Sequence, residues 1–464
     1  MLWAEGARAS SAFLYPVHAS PVSHAFPCFA DRNKGGVPLR LRDLLRDVTG
    51  FHRIVWVLFF GNLVNSVGGF MIRPFLSLYL YGRLGASALT VGAFMGMMAL
   101  AGLVSSMLAG SLADRFGRRR MMILGLAAEA AVLLLFSRAR TLSEFIVFGA
   151  LMGTVGPMFW PASSAAIADV TPSAKRAQAY GLLRIAVNVG AAIGPLVGAA
   201  FVTRAYSLAF LITAASTAAF ALTVTLLVPE TQPGRVGSVT PAEGDAGAAE
   251  HEVRAGTGAV GYGLLLRDTV FVLFLMVGVL IGSSYSQIET TLSIFTTQSR
   301  GLTPEQYGSL LAFNGLLVVL LQLPITHLAA RFPVQRVLAL SSLVYGVGFL
   351  GFGLLPTWGG LMGAMAVVTL GEMINSPSYT KFVADISPPA LRGRYMAASG
   401  LPWSVAGVVG PVAGGFVLGR FGGPSVWYAA GLLCALAAVG YTALGVQAER
   451  RAALAEGAAT RKHG

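Results

Sequence analysis

The chain has 464 residues, 55 % of them hydrophobic and 11 % charged, with 57 glycines and a formal net charge of +13. A soluble protein of this length carries about a quarter charged residues, so the composition excludes a water-soluble globular domain and fits an all-α, polytopic membrane protein. Two cysteines, Cys28 and Cys434, and six scattered histidines offer no metal-ligand spacing, disulfide framework or nucleophile set. No metal, cofactor or enzymatic chemistry is therefore expected.

In chain order, residues 1–50 read as a cytoplasmic extension. They open with a Ser/Ala/Pro/Gly-rich stretch lacking a clean signal peptide, followed by LRLRDLLRD, Leu39 to Asp47, which suits a short amphipathic helix on the membrane surface. Twelve apolar runs follow, near 54–81, 88–112, 119–137, 143–168, 177–201 and 205–228, then 269–296, 304–329, 334–355, 359–385, 393–419 and 424–446. They divide the chain into a first six-span bundle at 51–229, a Gly/Ala/Glu-rich cytoplasmic linker at 230–263, a second bundle at 264–447 and a tail at 448–464. Of the basic residues, 25 fall before span one, after even-numbered spans or in the tail, whereas six fall on the opposite side. That bias puts both termini in the cytoplasm and assigns the positive charge to membrane orientation, with no nucleic-acid partner.

The two sets of spans repeat one another. At an offset of 216 residues Gly92 falls on Gly308, Arg115 on Arg331, Pro161 on Pro377, Asp169 on Asp385, and Gly194-Pro195 on Gly410-Pro411. A fixed shift with matching Pro, Asp and Arg implies two bundles of equal orientation, related by an axis along the membrane normal.

Between spans two and three lies GSLADRFGRRR, Gly110 to Arg120, whose charges place it in water. Its Gly110, Asp114, Arg115, Gly117 and Arg118 resemble the signature loop of the major facilitator superfamily, with glycines for a tight turn and Asp114 available to cap the next helix. The resemblance spans residues 50 to 447. It implies two bundles that rock about a central site, with Asp169 at the end of span four pairing with Arg115 or Arg118 as an inward-side latch. In the second half Ala330 and Pro333 replace the acid and the glycine, so the first copy alone is intact.

Span five carries Gly190, Gly194, Pro195 and Gly198. Residues four apart share a helix face, so the glycines form a groove for another helix, and Pro195 removes a backbone hydrogen bond. The string resembles the motif of drug/proton antiporters, though ordinary small-residue packing accounts for it as well. Span eleven holds a partial copy at Gly410, Pro411 and Gly414.

Charges inside the spans cost about 2.5–3.5 kcal/mol each even on a lenient scale, so each needs a partner, water or a function. Glu289 and Glu372 are the candidate proton carriers; Glu129, on a peripheral third helix, suits a packing role. Arg73, equivalent by the repeat to Glu289, and Arg184 with Asn188 one turn on, are candidates for the cavity lining. Burial favours a protonated carboxyl and a nearby arginine favours the ionised one, so motion of an arginine can load or empty a glutamate. A fixed structural ion pair at Glu289 or a local hydrogen bond at Arg184 would equally account for these residues. Aromatics on spans one, four, seven, ten and eleven, namely Phe70, Phe159, Trp160, Tyr285, Tyr379 and Trp403, offer a stacking surface for a lipophilic cation. Span four lacks the arginine, and span one the acid, of many drug/proton antiporters, which moves the expected coupling to Glu289 and Glu372. The leading expectation is a monomeric proton-coupled antiporter of the cell membrane exporting small amphipathic molecules; the alternative is a proton symporter importing a nutrient.

Overall fold

Helices bring these motifs together. The computed structural model describes residues 50–202, 205–232, 265, 267–388 and 391–460. The expected surface helix at 39–47, most of the linker and the last four residues lie outside them. From His52 on, the chain forms one unit. Spans one to four are Arg53–Gly82, Ala88–Phe116, Arg118–Arg138 and Leu142–Val170, the last interrupted by a 3-10 turn at Gly156–Met158. Spans five and six are Ser173–Val202 and Tyr206–Leu227. Span seven begins at Thr269 and passes through a π-helical turn at Phe295–Ser299, followed by Pro304–Ala329, Val334–Leu354 and Trp358–Ile386. Span eleven, Arg392–Phe421, breaks at Ser399 and Gly400, and the last helix runs Gly423–Thr460.

Among the described residues, eleven of these helices are long and apolar enough to cross a membrane. Trp358–Ile386 is equally long, at 29 residues, and packs beside its neighbours, but it falls outside those eleven. It carries Glu372, Asn375, Lys381 and Asp385, polar groups that a lipid-facing helix would not hold.

Four helices that begin at the end away from the termini share one device. Ser87, Thr141, Thr303 and Thr357 each accept a hydrogen bond from a first-turn amide, and Thr141 and Thr303 complete capping boxes with Glu144 and Gln306. Ser87 with Thr303 and Thr141 with Thr357 are separated by 216 residues, so the repeat extends to the caps. The packing repeats too. Span one lies against spans five and six as span seven lies against eleven and twelve, and span three against six as nine against twelve.

Between the two bundles, span two meets span eleven and span five meets span eight. Glycines make these approaches possible. A Cβ at Gly308 would lie 2.7 Å from the Pro195 carbonyl, and one at Gly96 would lie 2.7 Å from that of Val408; Gly92 faces the Pro411 carbonyl in the same way. All of these contacts fall in the halves of the helices remote from the termini. The bundles thus meet closely at that distal end, where these carbonyl contacts leave no room for a side chain.

Candidate functional site

The Gly110–Arg120 segment differs from its expected form. Span two stays helical through Phe116, and the connection is Gly117 alone, at φ 100°, a conformation that favours glycine. Asp114 is therefore in the last turn of a helix and does not cap the next one; its carboxylate pairs with Arg118 across that turn. The cap comes from beyond span six, where the Glu230 carboxylate accepts from the backbone N–H groups of Arg118 at 2.9 Å and of Thr231 and Gln232 at 3.1 Å. Arg118 Nε lies 3.6 Å from Asp169 Oδ2, both side chains largely shielded, and Thr231 Oγ1 donates to the same oxygen at 3.2 Å. Gln232 Nε2 donates to the Asp114 carbonyl at 2.7 Å. Asp114, Arg118 and Asp169 thus form one network, joined by three residues that sequence reading passed over because they follow an apolar span without a motif of their own. In the second half Asp385 pairs with Lys381 on its own helix at 2.5 Å.

The span-five groove faces span one. A Cβ at Gly194 would lie 2.6 Å from Phe70 Cβ, and Gly190 and Gly198 face Ser66 and Met71. The adjoining face, Ala192, Pro195 and Ala199, meets span eight at Gly315 and Gly308.

Two cavities occupy the centre. The larger, about 360 Å³, is walled by spans seven, nine, ten and eleven, with Glu372 among Tyr285, Tyr345, Tyr379 and Trp403 and with Ser376 beside it. The break in span eleven shapes it: Ser399 and Gly400 line the wall, and the Tyr379 hydroxyl donates to the Ser399 carbonyl at 2.9 Å. The smaller, about 80 Å³, is lined by Phe70, Arg73, Pro195, Tyr285, Glu289 and Asn314. There Arg73 Nη2 lies 3.3 Å from Glu289 Oε2, an ion pair between bundles. Both side chains remain open to the cleft, 69 % and 45 % exposed, which limits such a pair to about 1 kcal/mol or less and leaves it easy to break. A second tie between bundles runs from Arg184 Nη2 to Ser376 Oγ at 3.3 Å.

Arg73, Arg184, Tyr285, Glu289, Glu372 and Tyr379 are therefore gathered at the centre, with Trp403 and Phe70. Asn188 and Trp160 line neither cavity, and Phe159 is buried against Phe220 inside the first bundle. Glu129 on span three lines neither as well, and has no hydrogen-bond partner among the described residues. Asn314 was missed, because a single amide in an apolar span carries no charge penalty to flag it. It donates from Nδ2 to Glu372 Oε2 at 3.1 Å and to Thr369 Oγ1 at 2.9 Å. Among the described residues no group of acids, histidines and cysteines could hold a metal ion.

A model of the Major Facilitator Superfamily matches residues 58–307 and 290–462. The chain belongs to this superfamily. It is a multi-pass membrane protein of the transporter type, acting on small molecules. The transporter is 28 % identical over 392 residues to YhjO of Bacillus subtilis, an uncharacterized MFS-type transporter, covering 82 % of this chain and 92 % of the relative. It is 28 % identical over 393 residues to a Na(+), Li(+), K(+)/H(+) antiporter of Planococcus maritimus, covering 79 % and 90 %. Multidrug resistance protein MdtH of Aeromonas hydrophila is 26 % identical, covering 78 % and 86 %. The fold is shared with the crystal structure of a POT family transporter in complex with 5-aminolevulinic acid, at a TM-score of 0.70 and 16 % identity, covering 83 % of this chain and 95 % of that one.

Proposed function

We propose that this transporter is a proton-coupled antiporter that exports small amphipathic molecules by alternating access, with Glu289 and Glu372 as the proton-carrying groups. The observation that carries the reading is the pairing of two central carboxylates with different surroundings. Glu372 faces an aromatic-walled cavity large enough for a small organic molecule, and Glu289 holds an arginine of the opposite bundle. A proton or a cationic group competes with arginine for a carboxylate, so loading one site and breaking a tie between bundles become one event. The similarity to a cation/proton antiporter and to a multidrug resistance protein and the Gly-Pro string on span five favour exchange over co-transport. With the basic residues marking the cytoplasmic side, the cleft opens to the cytoplasm and both termini lie there. The protein acts as a monomer in the cell membrane, without cofactor or catalytic chemistry.

The test is transport in proteoliposomes holding a pH-sensitive dye, challenged with Na⁺, Li⁺, K⁺ and a panel of amphipathic amines. Antiport predicts that substrate addition moves protons in the direction opposite to substrate, whereas parallel movement would establish the symport alternative. Glu289→Gln and Glu372→Gln keep shape and hydrogen bonding and lose titration, so gradient-driven transport should fall at least tenfold in the double variant. Undiminished transport there would remove both residues from proton carriage.

A further inference from the structure

Asn314 stands between the two carboxylates. Its Nδ2 serves Glu372 and Thr369, while the residue also lines the smaller cavity with Arg73, Glu289 and Tyr285. The orientation of its amide is fixed by chemistry. Thr369 gives its hydroxyl proton to the Met365 carbonyl at 2.7 Å, so toward Asn314 it can only accept. An ionised Glu372 likewise only accepts. Both therefore require the NH₂ end. Among the described residues Oδ1 is left without a protein donor, in a residue that lines the smaller cavity together with Arg73, where there is room for about two waters.

We propose that Asn314 is a positioning residue that makes the charge states of Glu372 and Glu289 depend on each other by inverting its amide. When Glu372 takes up a proton, its hydroxyl becomes a donor and calls for an acceptor. Asn314 turns Oδ1 toward it, and Thr369 swings its own proton from Met365 to the same oxygen. The NH₂ end then faces the smaller cavity, where it repels Arg73 and donates to Glu289. The carboxylate thus has replacement donors at the moment its ion pair parts, and that pair spans the two bundles. Protonation on one wall is thereby converted into release of a tie at the distal closure. The other groups facing Glu372 are Tyr285 and Glu289 of span seven, Tyr345 of span nine and Arg184 of span five. Of these, Tyr285 also hydrogen-bonds Glu372 and lines the smaller cavity, where its hydroxyl can donate or accept, whereas Tyr345 and Arg184 do not line that cavity. This inference rests on the proton-carrying roles of Glu289 and Glu372.

Infrared difference spectroscopy of the full chain in proteoliposomes reads the protonated-carboxyl stretch of each glutamate, with Glu129→Gln, Glu289→Gln and Glu372→Gln assigning the bands. In the unaltered protein, Glu372→Gln, which mimics the protonated acid, should move the titration midpoint of Glu289 by about one pH unit or more. In an Asn314→Leu background, where the amide is replaced by an apolar group of similar size, the same substitution should move it by less than half as much. Asn314→Gln, which keeps an amide, should retain most of the shift. Asn314→Ala serves the same purpose if the leucine variant fails to fold by thermal melting. An undiminished shift in a folded Asn314→Leu or Asn314→Ala protein would overturn the relay and leave proton carriage standing. Absence of any protonation-dependent Glu289 or Glu372 band would overturn both.

Discussion

At the scale of single residues, Glu230 shows how a group without a motif can complete one that has it. Its carboxylate caps the span-three helix, which begins at Arg118 directly after Gly117 with no side-chain cap of its own. Glu230→Ala should therefore cost about 1 kcal/mol of stability, read as a lower unfolding temperature, and Glu230→Gln should recover part of it because an amide oxygen still accepts. Asp114→Asn and Arg118→Ala break the adjoining pair, and transport should fall several-fold in proteoliposomes while the protein remains inserted; near-normal rates in both would remove the latch role. Glu289, Glu372, Arg73 and Arg184 were legible in the sequence because a charge in an apolar span demands an explanation. Asn314 was not, since its significance comes from lying between spans eight and ten, which no local pattern records.

At the scale of elements, the small residues of spans five and eight divide into two tasks that look alike in sequence. Gly194 meets span one inside its own bundle, whereas Gly308 meets Pro195 across the bundles. Bulk at the first should act on folding: Gly194→Leu overpacks a permanent contact and should cost about 1–3 kcal/mol, seen as a lower unfolding temperature with transport lost. Bulk at the second should act on the cycle. Gly308→Leu obstructs only the state closed at the distal end, so it should favour the opposite state, with cysteine probes in the cleft becoming less accessible from the side of the termini. Gly69 has open space about its Cβ position, and Gly69→Ala is the control that should alter neither readout. A span-five groove was legible; which partner it received was not, because a helix face specifies smoothness and not the identity of its neighbour.

At the scale of the whole molecule, the repeat governs the interface. Gly92 against Pro411 and Gly308 against Pro195 are the same contact made twice, since each residue of one pair lies 216 positions from its counterpart in the other. Two equivalent contacts thus lie on either side of the repeat's axis, the arrangement the proposed rigid-body rocking of the bundles calls for. A Cβ at Gly407 would lie 3.5 Å from that of Ala99, a separation suited to a disulfide. Ala99→Cys with Gly407→Cys, in a chain with Cys28 and Cys434 replaced by serine, should on oxidation abolish transport and regain it on reduction. Transport unchanged by a formed cross-link would mean that spans two and eleven do not part during the cycle.

The sequence by itself determined the helices, their order, the duplication and the charges within the spans, because apolar runs and a fixed offset are local or periodic properties that backbone hydrogen bonding in lipid must obey. Even there the charged segment after span two turned out helical to Phe116, since Gly117 alone suffices for the turn. The tertiary structure decided which polar groups meet. Arg73 finds Glu289 across the bundles, Glu372 is enclosed by tyrosines on spans seven, nine and ten, and Trp160 and Asn188 are left outside both cavities. The physical reason is one of range: a helix is built from contacts four residues apart, whereas a site is built from side chains hundreds of residues apart whose encounter depends on how whole helices tilt, break and pack.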